Sequence, residues 1–569
     1  MKNAFPLLCL APIACAPGPV ADAPAPSTTG ADGLPPPVSG GTLLVSRHRA
    51  WVSDPDRDVV REVDLYPPAV VREVAFEPGD EPGRLVFDGS GRVHVVLRGG
   101  GAVATIGEDA VSRRAVCSAP RGIAFDWATN ALHVACATGE FVTMPADGGA
   151  PTRRLQLERD LRDVVVDGDR VLVSRFRSAE VLVLATDGSI VERMRPDDVF
   201  MPALDRSWTP TVGWRLIGLP TGGAVLVHQR SESTPIGSAF TPVYYGQDLV
   251  QTTAVVLRAG EGAGFTPAIP GATLPVDIAV SIGGRFAIAA AGANAVFTGE
   301  VSSLGADGFG YDYDVGVASL ETWPLFGMPI AVAFDPDGSL WAQTRDPAGL
   351  VRVERGDGVS FSTETRADEG FDLFHREVEA THLACASCHP EGTEDGHVWQ
   401  FAADGARRTQ TVRGIAGSEP FHWSGDLPTF RDLVEEVFVV RMQGERLSGD
   451  RIAALERWLH ALGPAATAEP VEPGAALRGR SLFEAPGAAC LACHAGEALT
   501  NDATVDVGTG GAFQVPSLRG VAAREPLMHD GCAATLRDRF GPCGGDRHGV
   551  TSHLSGGDVS DLVAYLETL

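Results

Sequence analysis

Two five-residue stretches, Cys385-Ala386-Ser387-Cys388-His389 and Cys490-Leu491-Ala492-Cys493-His494, carry the residue types with the plainest chemical use in this chain. In each, two thiols one helical turn apart can add to the two vinyl groups of one porphyrin, while the adjoining imidazole reaches the iron. The spacing therefore predicts two covalently attached c-type haems, with iron as the metal. Cys385, Cys388, Cys490 and Cys493 are the thioether-forming residues, and His389 and His494 the proximal ligands. A four-cysteine zinc site also uses paired C-x-x-C, but it closes its halves within a few tens of residues.

The stretches that follow the two motifs are duplicated. Arg413-Gly414 matches Arg519-Gly520, Glu419-Pro420 matches Glu525-Pro526, Gly425 matches Gly531, and Thr429-Phe430-Arg431-Asp432 matches Thr535-Leu536-Arg537-Asp538. Carried on without a gap, this register pairs Met442 with His548, two residue types that bind haem iron. These are the expected sixth ligands. The plain alternatives are a core methionine and a loop histidine. Met528, which matches His422, is the runner-up at the second iron. Arg413 and Arg519 recur at the same place in each copy, where a planar guanidinium can bind a propionate or serve a surface ion pair.

Several elements must position these residues. Residues 41–366 repeat a phrase of apolar strand, Asp-Gly or Gly-Gly turn and apolar strand, as in Leu85-Val86-Phe87-Asp88-Gly89 and Val332-Ala333-Phe334-Asp335-Pro336-Asp337-Gly338. With room for about four strands per copy and about seven copies, the expected fold is an all-β propeller. Beyond residue 366 the periodicity turns helical. Ile452, Leu455, Leu459 and Leu462 share one helix face after Ser448, and Val559, Leu562, Leu566 and Leu569 share another after Ser555. Two mostly α-helical cytochrome c domains are expected, at 370–463 and 474–569, joined by a Pro/Ala/Glu linker at 464–473. At the other end, 1–15 has the basic tip and short apolar run of an export signal, with Cys15 a lipid-anchor candidate. Residues 16–40 are low in periodicity and read as a flexible tether.

The C-terminal part, about residues 370 to 569, resembles the dihaem cytochrome c peroxidase family and its related oxidases. The marks are Gly396-His397-Val398-Trp399-Gln400, Trp423-Ser424-Gly425, Val515-Pro516-Ser517-Leu518-Arg519 and His529-Asp530-Gly531. The resemblance implies His397 as an alternative cap of the first haem, Trp423 between the haems, and His397, Trp423 and His529 as catalytic candidates. It departs where that family has a Glu before the first-domain methionine and this chain has Arg441, and where it has a second axial methionine and this chain has His548.

Composition narrows the setting. Asp and Glu outnumber Lys and Arg by 73 to 46, giving a net charge of -27, so a nucleic-acid partner is not expected. Beyond the N-terminus no apolar run is long enough to span a membrane. The cysteines fall in pairs along the chain, Cys117 with Cys136 and Cys532 with Cys543 besides the two motifs, which suits an oxidising compartment such as the periplasm or cell surface of a bacterium. Disulfides are expected at both pairs, the second bracing His548. The expected function is electron transfer through two haems, with the propeller docking a redox partner protein. The alternatives are an enzyme whose one haem opens to a small oxidant and a redox-sensing binding or adhesion protein.

Overall fold

The computed structural model describes residues 33–202, 204–237, 249–263, 266–304, 320–415, 417–468, 470 and 472–569. The expected export signal at 1–15, Cys15 and the first part of the tether lie outside these residues.

Seven four-stranded antiparallel sheets follow one another along the chain, at 43–75, 82–115, 120–156, 161–194, 199–257, 275–324 and 329–360. They are the blades of the expected propeller. Two devices of the repeated phrase make them. Strands in the middle of a blade are buried on both faces, so Val93–Leu97 and Ala102–Ile106 are continuous runs of core residues rather than alternating ones. The intervening turns are set by aspartates whose side chains take main-chain N–H groups. Asp88 accepts from Ser90 and Arg92 at 2.8 and 3.0 Å, and Asp335 accepts from Asp337 and Ser339 at 3.0 and 3.1 Å.

Each sheet is built from consecutive strands, so the ring closes through side chains rather than through a shared strand. Thr42 Oγ1 donates to Gln343 Oε1 at 2.7 Å, Gln343 Nε2 donates to the Ser53 carbonyl at 2.7 Å, and Tyr66 meets Trp341 edge-on at 6.0 Å. The disulfide Cys117–Cys136 ties the approach to the third blade to its second strand.

The remainder is helical only in part. Among the described residues six α-helices occur, α1 (Glu369–His375), α2 (Cys385–Cys388), α3 (Phe430–Leu433), α4 (Gly449–Ala461), α5 (Pro473–Glu484) and α6 (Gly556–Leu566). Between them run two β-hairpins, short 3-10 turns and long loops, so the expectation of two mostly α-helical domains is not met. The reason is in the sequence: glycines at 414, 425, 520 and 531 take positive φ, and Pro420, Pro516 and Pro526 stop helices from spreading.

Each half nevertheless crosses its first helix with its last at a glycine. A Cβ on Gly370 of α1 would lie 2.3 Å from the Ala454 carbonyl of α4, and one on Gly479 of α5 would lie 1.8 Å from the Asp561 carbonyl of α6. α4 is capped by Ser448, whose side chain accepts from Arg451 N–H, and α6 by a Ser555–Asp558 capping box.

The first half sits on the propeller. Glu391 is 6% exposed and pairs with Arg162, 1% exposed, at 2.5 Å and with Arg121 at 3.1 Å. Both arginines come from strands that open their blades. The Ile236 N–H donates to the Gln400 carbonyl at 2.7 Å, the Ala402 N–H returns to Ile236 at 3.1 Å, and Arg345 lies over the Phe371 ring at 3.7 Å. The far end of the expected tether belongs to this joint. Trp458 Nε1 donates to the Pro35 carbonyl at 3.0 Å, Arg162 donates to the Ser39 carbonyl at 2.8 Å, and Val38 and Ser39 are buried. Residues 35–40 are therefore packed chain, and a side chain at Gly40 would collide with the Val276 carbonyl.

Replacing Gly479 by Ala should lower the unfolding free energy by roughly 1–3 kcal/mol, the usual cost of overpacking, whereas Gly487→Ala, in open space, should change it little. Chemical denaturation of both variants checks this.

Candidate metal centres

The first motif forms α2 and the turn after it. The His389 N–H closes on the Cys385 carbonyl at 2.9 Å, which brings two thiols and an imidazole around one turn. The second motif closes the same way, His494 N–H to Cys490 at 2.9 Å. Among the described residues the four motif cysteines are the ones outside disulfides. Burial pushes the Cys385 thiol up to about 12 and the Cys388 thiol well above its ordinary range, so neither is an ionised nucleophile in this setting.

Cys385, Cys388 and His389 open onto a cavity of about 350 Å³, within the range of ligand-sized sites. Met442 lines the same cavity. It is placed there by a widened helical turn, Val434–Arg441, whose hydrogen bonds reach five residues back, as from the Met442 N–H to the Val437 carbonyl at 2.9 Å. Such π turns concentrate at functional sites. Nδ1 of His389 is buried and makes no hydrogen bond. Arg413 also reaches this cavity, donating to the carbonyls of Glu391 and Gly463 at 2.9 Å each.

The second centre is tighter. His494 donates Nδ1–H to the Leu499 carbonyl at 3.1 Å, which leaves Nε2 with its lone pair, the tautomer a ligand needs. Facing it, His548 has its ring centroid 6.2 Å away at 38°. Burial, then the charges of Arg539 and His494, push His548 down to about 3, so it is neutral at working pH. Arg539, itself pushed down to about 10 by burial, had no signal in the sequence because its first-copy counterpart is Leu433. The Cys532–Cys543 disulfide closes the loop ahead of His548. Asp530 stands near both sulfurs, which are already bonded to each other. At both centres the residue types fit a covalently held haem: paired thiols and a histidine, with a thioether in the same cavity at the first and a second imidazole across from the histidine at the other.

The two halves exchange reciprocal contacts. The hairpin Val398–Phe401/Gly405–Arg408 of the first copy matches the pair Thr504–Asp506/Ala512–Gln514 of the second. Each hairpin's last residue donates to the other copy: Arg408 N–H to the His529 carbonyl at 2.6 Å, and Gln514 N–H to the Trp423 carbonyl at 2.8 Å. Trp423 and His529 are the same position in the two copies. Their rings stand 6.3 Å apart, and His529 stacks on Phe513 at 3.9 Å. Arg408 lies over Trp423 at 5.6 Å and donates to the Met528 carbonyl at 3.3 Å. Arg519 donates to the Glu497 carbonyl at 2.6 Å.

His397 is turned away from the cavity. Its Nε2 bonds the Glu232 carbonyl of the propeller at 2.8 Å, and its N–H is taken by Asp395 at 2.9 Å. Arg441, where the peroxidase pattern has a glutamate, pairs with Glu436 at 3.1 Å.

No family model matches the chain. It is 29% identical to hydrazine synthase subunit gamma of Kuenenia stuttgartiensis over 255 residues, covering 33% of this chain and 72% of that protein. Among solved structures, one of Kuenenia stuttgartiensis hydrazine synthase aligns at TM-score 0.46 and 14% identity, covering 61% of this chain and all of that one. A xenon-pressurised form of the same enzyme gives 0.33 and 25%, covering 35% and 86%. The expected membership of the dihaem cytochrome c peroxidase family is thereby corrected: the sequence relative found is a hydrazine synthase subunit. The physical counterpart is that the histidine carrying the peroxidase-like mark is spent on the propeller.

Burial pushes the Asp395 carboxyl up to about 7. Folded chain then holds a proton that unfolded chain, with an ordinary aspartate near 4, has lost. Stability should therefore fall as pH rises from about 4 to about 7, and Asp395→Asn should flatten that slope in denaturation midpoints taken across the range.

Proposed function

We propose that the chain is an exported dihaem c-type cytochrome that passes electrons through two covalently held haems, with the propeller as the rigid support of the first. The observation that carries this reading is the facing pair His494 and His548 beside two thiols, matched in the other copy by His389 and Met442 in one cavity. A haem supplies an iron that takes up and gives back one electron, and the chain's own residues do the rest. The four cysteines would hold the porphyrins, and His389, His494, Met442 and His548 would supply the nitrogen and sulfur donors to the irons. An imidazole in place of a thioether lowers an iron's potential, so His548 would give the second centre the lower potential of the two.

The contact of Trp423 with His529 supports a route between the halves. Arg413 and Arg519 hold main-chain carbonyls near each motif and steady those loops, and in this reading they would also meet propionates. The two disulfides support an oxidising location, periplasm or cell surface. Among the described residues no helix is long and apolar enough to cross a membrane. The first motif lies under the propeller, with Ala386 and Ser387 1% and 2% exposed, while Leu491 of the second is 41% exposed. A redox partner protein therefore reaches the second centre first.

A second reading, that the chain is one subunit of a larger enzyme, is favoured by its relative, which is named as a subunit of a synthase. In that case the electrons delivered serve chemistry on a partner chain.

Produced with c-type haem maturation, the protein should carry two haems by intact mass. Cys490→Ser with Cys493→Ser should leave one, and His548→Ala should perturb only the second centre's spectrum. A chain without covalent haem would overturn the proposal.

A further inference from the structure

The two copies share a backbone where they differ in chemistry. His422 and Met528 occupy equivalent positions and both take left-handed φ, 66° and 71°, a conformation in which residues other than glycine are sparse and tend to mark functional sites. In the second copy the position is a methionine, and the residue matching Asp426 is Cys532, which is bound in a disulfide. In the first copy the pair is a histidine and a carboxylate in contact. His422 Nδ1 lies 3.2 Å from Asp426 Oδ1, and Ser424 Oγ donates to the same oxygen. His422 and Asp426 line the cavity that holds Cys385, Cys388, His389 and Met442.

From this geometry we infer that the cavity of the first centre binds a small protic ligand, and that His422, oriented by Asp426, accepts its proton. The inference rests on the dihaem reading above. With Nδ1–H donated to Asp426, the ring's other nitrogen carries the lone pair. An entering acid HX gives its proton to that Nε2, X⁻ stays in the cavity, and the imidazolium is stabilised by the Asp426 carboxylate. No electron is exchanged in this step. Burial and the Arg441 charge keep His422 below the ordinary histidine range, while Asp426 and Glu436 oppose them, so the ring is neutral and able to act as a base near neutral pH. Met442 lines the same cavity, and its thioether sulfur, only a weak acceptor, offers such an anion no competing proton.

The test uses the full haem-loaded chain, oxidised, with two probes. Cyanide arrives as its protonated acid and must give up a proton. Azide arrives as the anion. His422→Asn keeps a residue that tolerates left-handed φ and removes the base. It should slow cyanide association roughly 100-fold and leave azide nearly unchanged. Asp426→Asn, at the exposed rim, should slow cyanide less and move the midpoint of its pH profile, and it serves as the test if His422→Asn does not fold. Equal slowing of both probes, no effect in either variant, or no ligand binding by a chain that carries both haems would overturn the inference and leave the dihaem reading standing. Absence of haem would instead remove the reading beneath it.

Discussion

The structure depends on one buried charge. Glu391 lies two residues after His389, in a left-handed conformation at φ 54°, and its carboxylate is held by Arg162 and Arg121 of the propeller. A carboxylate taken from water is costly unless it is paired on more than one side. Here it has two guanidiniums, and the Arg413 guanidinium holds its own main-chain carbonyl. The turn after the first motif is thus fixed by strands more than two hundred residues earlier in the chain. The neighbouring residues follow: Glu394 faces Arg177, a side chain at Gly396 would crowd the Arg177 carbonyl, and His397 bonds Glu232. The propeller is part of the wall of the first centre.

The second constraint is the duplication. Two copies joined by reciprocal main-chain hydrogen bonds must keep matched hairpins and matched turns, and they do. What is left to vary is the side chains the shared backbone presents. Met442 against His548, His422 against Met528, and Trp423 against His529 are each one position with two chemistries. One scaffold therefore yields two unlike sites, an open cavity lined by His422 and Met442 and a tight pair of imidazoles.

Much of this was legible in the sequence for local reasons. The blades announce themselves because each turn is written in a few consecutive residues, and the two motifs and their register because duplication preserves spacing. The Ser448 and Ser555 caps could be read for the same reason. What could not be read depends on contacts between distant segments. Pro35 to Gly40 has the composition of a tether, yet it is buried because Trp458, His375 and Arg162 happen to receive its carbonyls and N–H groups. His397 carries a familiar local pattern, but its partner lies in the fifth blade, which no local pattern reveals. The His422–Asp426 pair is invisible until the backbone shows that its counterpart adopts the same strained turn.

The most direct test of the central claim is near-infrared magnetic circular dichroism of the oxidised, haem-loaded full chain, which reads axial ligands separately at each iron. The account predicts one histidine–methionine centre and one bis-histidine centre, the latter lost in His548→Ala. Two centres of the same type, or a second centre unaffected by that substitution, would contradict it.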